Sequence, residues 1–281
     1  MQLVVLSGKG GTGKTSVVAS FSVLMEDKIL ADCDVDAPNL HLILKPEVQY
    51  KEEFKGSKKA VIITEKCISC GKCKEYCRFG AIFFENNKYQ VDEVLCEGCG
   101  VCVYICPADA INLEENISGY LFVSNTRYGK LAHAKLNVGE ENSGKLVEKV
   151  RRKAKELGEN IIIDGPPGIG CPVIASLSGV DKVLIVTEPT FSGLHDLKRV
   201  LKLAQHFKLE TFVCINKYDI NPEVAKEIEE YCKAMKIKVI GKIPYDEKVT
   251  EAMVNGKAIV EYDGEAKASK EIRKIFSSLT F

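Results

Sequence analysis

Three things are missing from this 281-residue sequence: a net charge, a long apolar run and a histidine cluster. Thirty-nine Lys and Arg cancel thirty-nine Asp and Glu, so composition gives no argument for a nucleic-acid surface or a strongly acidic partner, and no nucleic acid is expected. No apolar stretch approaches the ~20 residues that a membrane-spanning helix needs. The first residues carry no basic segment running into an apolar stretch and a small-residue cleavage site, so the expectation is a cytoplasmic protein. His41, His133, His195 and His206 make no metal-ligand spacing and read as ordinary side chains. What is present is a 46% hydrophobic content, enough for one large domain or two smaller ones, and twelve cysteines. Eight of those cysteines fall in tight runs, a metal-cluster spacing that fits a reducing compartment better than a disulfide framework.

The apolar run Leu3, Val4, Val5, Leu6 leads into SGKGGTGKTS at residues 7–16, and helical spacing follows through Val17, Val18, Phe21, Val23 and Leu24. Gly8, Gly13, Lys14 and Thr15 complete the GxxxxGK[ST] pattern of a phosphate-binding loop between a strand and a helix. The backbone of Gly8, Lys9, Gly10, Gly11, Thr12, Gly13, Lys14, Thr15 and Ser16 is expected to close around phosphate oxygens at the helix N-terminus. Lys14 is expected against the β and γ phosphates, with the Thr15 hydroxyl on Mg²⁺. A turn that binds nothing would not need strand, loop and helix in this register.

Further short apolar runs alternate with helical patterns: residues 29–31 ending at Asp32, Cys33, Asp34; Ile161, Ile162, Ile163 ending at Asp164; then 183–187, 211–215 and 238–243. This alternation predicts an α/β fold, a mostly parallel sheet flanked by helices, with ligands at the carboxyl ends of its strands. Between them, residues 50–59 read as charged and strand-poor. Ser143 is placed to cap a helix running to Leu157. Cys33, Cys171, Cys214 and Cys232 read as small core residues.

The cysteine runs are an internal repeat. Cys67, Cys70, Cys73 and Cys77 spell CxxCxxCxxxC, and Cys96, Cys99, Cys102 and Cys106 spell it again, followed by Pro107. CISCGKCKEYCRFGAI and CEGCGVCVYICPADAI align without a gap. Zinc, the competing reading of CxxC pairs, takes four ligands with a long spacer between pairs rather than two tight runs of four. Lys66, Lys72, Lys74 and Arg78 accompany the first run, and Asp92, Glu93 and Glu97 the second, so the two sites are expected to differ in potential.

The form KGGTGKT resembles the deviant Walker A loop of the MinD, ParA and nitrogenase iron-protein superfamily of P-loop ATPases, and the cysteine runs resemble the bacterial two-cluster ferredoxin. The first resemblance implies that Lys9 reaches across a dimer to the partner's nucleotide and acts with Lys14 in catalysis. It further implies that Asp34 orients the attacking water, that Asp32 and Asp164 join Thr15 in ordering Mg²⁺ and its waters, and that the Gly168 N–H senses the γ-phosphate at a switch loop. Around the base it implies Asn216, Lys217, Pro244 and Asp246. Asn216, Lys217, Tyr218, Asp219 also spell the NKxD by which many GTPases read guanine; the lysine inside the P-loop favours ATP. The second resemblance implies two [4Fe-4S] clusters, one on Cys67, Cys70, Cys73 and Cys106, the other on Cys77, Cys96, Cys99 and Cys102. Arg78 stands where that motif has proline.

Together these imply a discontinuous P-loop ATPase domain over residues 1–56 and 119–281, with a small α+β bacterial-type ferredoxin domain inserted at 57–118. The implied function is an ATPase whose nucleotide-gated homodimer, or heterodimer with a similar ATPase, controls electron transfer or cluster delivery to a redox or apo-metalloprotein partner. Two alternatives stay open: a carrier in iron–sulfur or metal-cofactor assembly, and a positioning ATPase of ParA or MinD type whose clusters are structural staples. MinD also places a C-terminal amphipathic helix on membranes, whereas Ile272, Ile275, Phe276 and Leu279 here are expected to pack on the protein's own sheet.

Overall fold

The computed structural model describes residues 1–279. In chain order its elements are β1 (Gln2–Ser7), α1 (Lys14–Leu24), β2 (Ile29–Asp32), α2 (Leu40–Leu44), β3 (Glu47–Phe54), β4 (Ser57–Ile62), α3 (Lys72–Glu75), β5 (Ile82–Glu85), β6 (Lys88–Val91), α4 (Val101–Tyr104), β7 (Ile111–Asn116), β8 (Gly119–Thr126) and β9 (Gly129–Leu136). There follow α5 (Ser143–Leu157), β10 (Ile161–Pro167), α6 (Cys171–Leu177), β11 (Lys182–Thr187), α7 (Phe191–His206), β12 (Glu210–Asn216), α8 (Pro222–Ala234), β13 (Lys238–Ile243), α9 (Glu247–Val254), α10 (Ile259–Tyr262) and α11 (Lys267–Ser278). The chain divides into two compact units, one of Met1–Lys51, Leu121–Lys135 and the chain from Ser143 on, the other of Glu52–Tyr120 and Leu136–Asn142.

The first unit is built on a nine-stranded sheet ordered β13-β12-β11-β1-β10-β2-β9-β8-β3. From β13 to β9 every neighbouring pair is parallel. Strands covered on both faces need apolar side chains on both, and β1 and β10 supply them: Leu3, Val4, Val5 and Leu6 are fully buried, as are the β-branched Ile161, Ile162 and Ile163 to within 2%. α1 lays Val17, Val18 and Phe21 on Leu3, Val5 and Leu30, and α11 adds Ile272 and Ile275, with Leu279 just after it, to the same core. Phe21 and Phe276 meet with ring centroids 5.3 Å apart. The terminal helix is therefore a core element, and burying a side chain such as Ile275 contributes roughly 1.5–3 kcal/mol.

β1 lies between β10 and β11, so the strand order reverses beside it, and the loop leaving β1 opens at the crevice where open α/β sheets bind ligands. Residues 50–59, expected to be strand-poor, run through β3 and β4. β3 is the edge strand of the large sheet and five of its first residues are exposed, so charge suits it and no apolar alternation marks it.

In the second unit β4 and β7 pair antiparallel from Ser57 opposite Asn116 to Ile62 opposite Ile111, and β5 and β6 form a hairpin. The hairpin turns on Asn86 and Asn87, both at positive φ (53° and 60°), as a two-residue loop matched to strand twist requires. The sequence repeat is visible in the backbone: α3 and α4 each start after a left-handed glycine, Gly71 at φ 79° and Gly100 at φ 78°. The small core consists of Ala60, Cys73, Ala81, Ile82, Cys96 and Ile111. This unit is wider than 57–118. It takes in residues 136–142 because Asn137 bonds the carbonyls of Ser118 and Ile117, and Glu140 accepts from Asn116 and Ser57.

Candidate functional site

The loop after β1 turns into α1 through Gly13, which takes φ 86°; a Cβ there would also stand 2.3 Å from Asn216 Nδ2. Glycine is thus required both by the backbone and by the strand end beside it. Lys14 follows as the first residue of α1 and is buried to 6%. Its Nζ meets Asp164 Oδ1 at 2.5 Å, and Asp164, in the middle of the central strand β10, is 1% exposed. Burial by itself would lower the Lys14 ammonium, but Asp164, with Asp32 and Asp34, outweighs it and raises the pKa.

Asp32 ends β2 in register with Asp164. Burial first, then the neighbouring Asp164 carboxylate, lifts its pKa well above the usual range. Asp32 Oδ1 accepts the Asp34 N–H at 3.1 Å. The second oxygens, Asp32 Oδ2 and Asp164 Oδ2, are buried without a protein partner, as is Thr12 Oγ1. Two buried carboxylate oxygens left unpartnered, one of them on the aspartate that meets Lys14 of the phosphate loop, are donors of the kind hydrated Mg²⁺ takes, and Thr15, next to Lys14 in the chain, is half-buried. Asp34 is half-buried, and burial raises its pKa too.

Lys9, the lysine within the loop, folds onto its own chain. Its Nζ lies 3.3 Å from Thr190 Oγ1, 3.2 Å from Ser192 Oγ and 3.8 Å from Glu188. Glu188 also pairs with Lys217 Nζ at 2.6 Å. Glu188, Thr190 and Ser192 were not anticipated as site residues, although the string VTEPT brings the first two to the carboxyl end of β11. Gly168, at φ 89°, donates its N–H to Ser7 O at 3.0 Å, which ties the loop after β10 to the strand that feeds the P-loop.

The residues anticipated around the base are brought to the ends of β12 and β13, but their polar atoms are already engaged. Asn216 donates Nδ2 to Thr12 O at 2.8 Å and accepts the Lys217 N–H on Oδ1, which braces the loop. Asp246 caps α9, accepting from Lys248 N and from Ala268 N. Asp219 Oδ1 takes the Tyr245 N–H at 2.7 Å next to Pro244, the group a guanine reader would leave for the base.

The second set of functional candidates lies in the other unit. Cys67, Cys70, Cys73 and Cys106 line one small pocket, and Cys77, Cys96, Cys99 and Cys102 line a second. Each pocket draws three cysteines from one run and the fourth from the other. Backbone N–H groups already point at the sulfurs: Ala60 N to Cys96 Sγ at 3.4 Å and Ala110 N to Cys106 Sγ at 3.3 Å. Gly98 must be glycine, since a Cβ there would sit 2.0 Å from Lys58 O. Among the described residues no group of three His, Cys, Asp or Glu is arranged to hold a single metal ion.

Of the four other cysteines, Cys33, Cys214 and Cys232 are fully buried, and burial pushes the Cys214 thiol up to about 12 and Cys232 to about 11. Cys171 differs from expectation: it is exposed, because as the first residue of α6 it faces outward beside Gly144 of α5 rather than into the core. The histidines are ordinary, His133 sharing a 2.8 Å hydrogen bond with Ser124 inside the first unit. No described helix is long and apolar enough to cross a membrane.

The sequence profile of the CobQ/CobB/MinD/ParA nucleotide binding domain matches residues 3–259. An uncharacterised protein of Methanocaldococcus jannaschii is 34% identical over 289 residues, covering 99% of this chain and 96% of that protein. The iron-sulfur cluster carrier protein of the same organism is 24% identical over 296 residues, covering 98% of this chain and 82% of its own. In fold, the septum site-determining protein MinD complexed with Mg-ADP from Pyrococcus horikoshii OT3 superposes with a TM-score of 0.62 at 18% identity, covering 99% of this chain and 95% of that one.

Proposed function

This chain belongs to the CobQ/CobB/MinD/ParA nucleotide-binding family, and from that premise we propose an ATPase whose nucleotide-gated dimer controls electron transfer or cluster delivery from two [4Fe-4S] centres to a partner protein. The observation that carries the reading is the sorting of eight cysteines into two pockets of four, in a chain that also holds a P-loop lysine against a buried switch aspartate. Thiolates are the donors such clusters take, and a [4Fe-4S] cluster takes four of them. Cys67, Cys70, Cys73 and Cys106 would hold one cluster, and Cys77, Cys96, Cys99 and Cys102 the other. When bound, the clusters supply one-electron chemistry or are themselves the cargo.

In the ATPase unit the loop N–H groups of residues 8–16 and Lys14 cradle the phosphates. Thr15, Asp32 and Asp164 order Mg²⁺ and its waters. Asp34 orients the water that attacks the γ-phosphorus as the bond to the leaving β-phosphate oxygen breaks. Lys9 leaves Thr190 and Ser192 to reach the nucleotide of a second copy, or of a similar ATPase in a heterodimer. The Gly168 N–H exchanges Ser7 O for the γ-phosphate, which shifts the switch loop ahead of α6. The engagement of Asp219 by Tyr245 N supports ATP over GTP.

The test is the ATP hydrolysis rate of anaerobically purified protein with its centres oxidised and then reduced, beside a cluster-free variant. The reading expects a several-fold change that vanishes in the variant; a rate indifferent to redox state removes gated electron transfer. A second reading, cluster carriage, is favoured by the likeness to an iron-sulfur cluster carrier protein. ATP-dependent loss of iron to an apo-protein acceptor distinguishes it.

A further inference from the structure

A buried ion pair stands behind one of the two cysteine pockets. Lys59, on β4, is 8% exposed. Its Nζ donates to the carbonyl oxygen of Cys96 at 2.9 Å and lies 3.5 Å from Glu140 Oε1. The next residue, Ala60, donates its N–H to the sulfur of the same cysteine. Glu140, whose side chain is 13% exposed, is fixed in turn: Asn116 Nδ2 donates to Oε1 at 2.8 Å and Ser57 Oγ to Oε2 at 3.1 Å. All of these residues belong to the second unit.

The local charge makes this pair consequential. Residues 92–109 include Asp92, Glu93, Glu97 and Asp109 but no Lys or Arg, and Arg78, which follows the pocket residue Cys77 and lies over Phe79 of the same pocket, is exposed to water. Lys59 is thus a cation delivered from outside the run to an otherwise acidic one. Exposed side chains are screened by water; a buried ammonium bonded to the backbone of a ligand residue is screened far less. Adding an electron to a centre in this pocket makes it more negative. A cation behind it favours that step and an anion opposes it, the lever by which hydrogen bonding and local charge set cluster potentials.

Resting on the reading that this pocket holds a cluster, we propose that Lys59 and Glu140 are positioning residues that set the reduction potential of the centre on Cys77, Cys96, Cys99 and Cys102. Lys59 holds the Cys96 backbone and raises the potential, and Glu140 orients Lys59 and offsets part of its charge.

The experiment uses the full chain, purified anaerobically, with iron counted first and each centre then titrated with dithionite under electron paramagnetic resonance. Lys59→Met lowers one midpoint and leaves the other unchanged. Glu140→Gln moves that same midpoint the opposite way, and Lys59→Arg restores it towards wild type. A tenfold change in the reduction equilibrium reads as about 59 mV for a one-electron couple. Should Lys59→Met lose iron from the pocket, Glu140→Gln, which keeps the cation, carries the test alone. Full iron with midpoints unmoved, or both variants shifting the same way, overturns the tuning role while leaving the two-cluster reading intact. Wild-type protein without iron overturns that reading and this inference with it.

Discussion

Replacing Lys14 by Met removes the one cation from between two buried carboxylates. Lys14 Nζ lies 2.5 Å from Asp164 Oδ1, the two side chains are 6% and 1% exposed, and Asp32 beside them is 1% exposed. Taking one partner from a pair this deeply buried leaves an uncompensated charge, a loss of about 3–5 kcal/mol. With a urea m-value of about 3 kcal/mol/M for a chain of this size, the unfolding midpoint falls by roughly 1–1.7 M. The assay is a urea titration by far-UV circular dichroism without added nucleotide, with hydrogen exchange at β1 and β10 assigning the transition to the unit that holds the pair. The double variant Lys14→Met/Asp164→Asn recovers a good part of the deficit, because the orphaned charge leaves with its partner. The deficit also depends on pH. Burial and Asp164 already hold the Asp32 carboxyl above its ordinary value, and without Lys14 it rises further. A carboxyl whose folded pKa is raised takes its proton in the folded state before the unfolded chain does, so stability returns as pH falls and is lost as pH rises. An unchanged midpoint, or a double variant no more stable than the single one, refutes the argument.

Three further outcomes are expected. Lys9→Ala keeps nucleotide binding, since Lys9 reaches only Thr190, Ser192 and Glu188 of its own chain, but loses ATP-dependent dimerisation and hydrolysis; light scattering that still finds an active ATP-bound dimer would contradict this. Cys73→Ser removes one ligand from the pocket it shares with Cys67, Cys70 and Cys106, leaving roughly half the iron in an anaerobic preparation, and iron analysis at the wild-type level refutes the pairing. Brief alkylation of the native iron-loaded protein modifies Cys171 alone, because Cys33, Cys214 and Cys232 are fully buried; labelled peptides from those three would show that the core opens.

The central sheet was legible in the sequence because its strands are buried on both faces and read as continuous β-branched runs, and because the P-loop marks where β1 ends. The repeated four-cysteine run was legible as metal-site spacing, but the exchange of Cys106 and Cys77 between the runs came from the resemblance to two-cluster ferredoxins, and the two pockets group the cysteines in that way. Other features had no such signal. β3 is an exposed edge strand, so its charged sequence looks like a loop. Residues 136–142 join the second unit through Asn137 and Glu140, bonds that depend on the folded positions of Ser57, Asn116 and Ser118. Lys59 and Glu140 lie far apart in the sequence and match no motif. The bonds by which Asn216 braces the loop and Asp246 caps a helix also had no signal in the motifs that pointed to the base.

The chain passes between the two units four times, after residues 51, 120, 135 and 142. Because β1 pairs with β10 and β11, the first strand made must wait for residues 161–187 before its neighbours exist. Every cysteine of the two pockets, and the last residue of their unit, has been added to the chain by residue 142. At ~5–20 residues per second, about two to nine seconds separate that point from completion of β11. During synthesis, the unit that carries the two cysteine pockets is thus complete while the nucleotide-binding unit still lacks the central strands of its sheet.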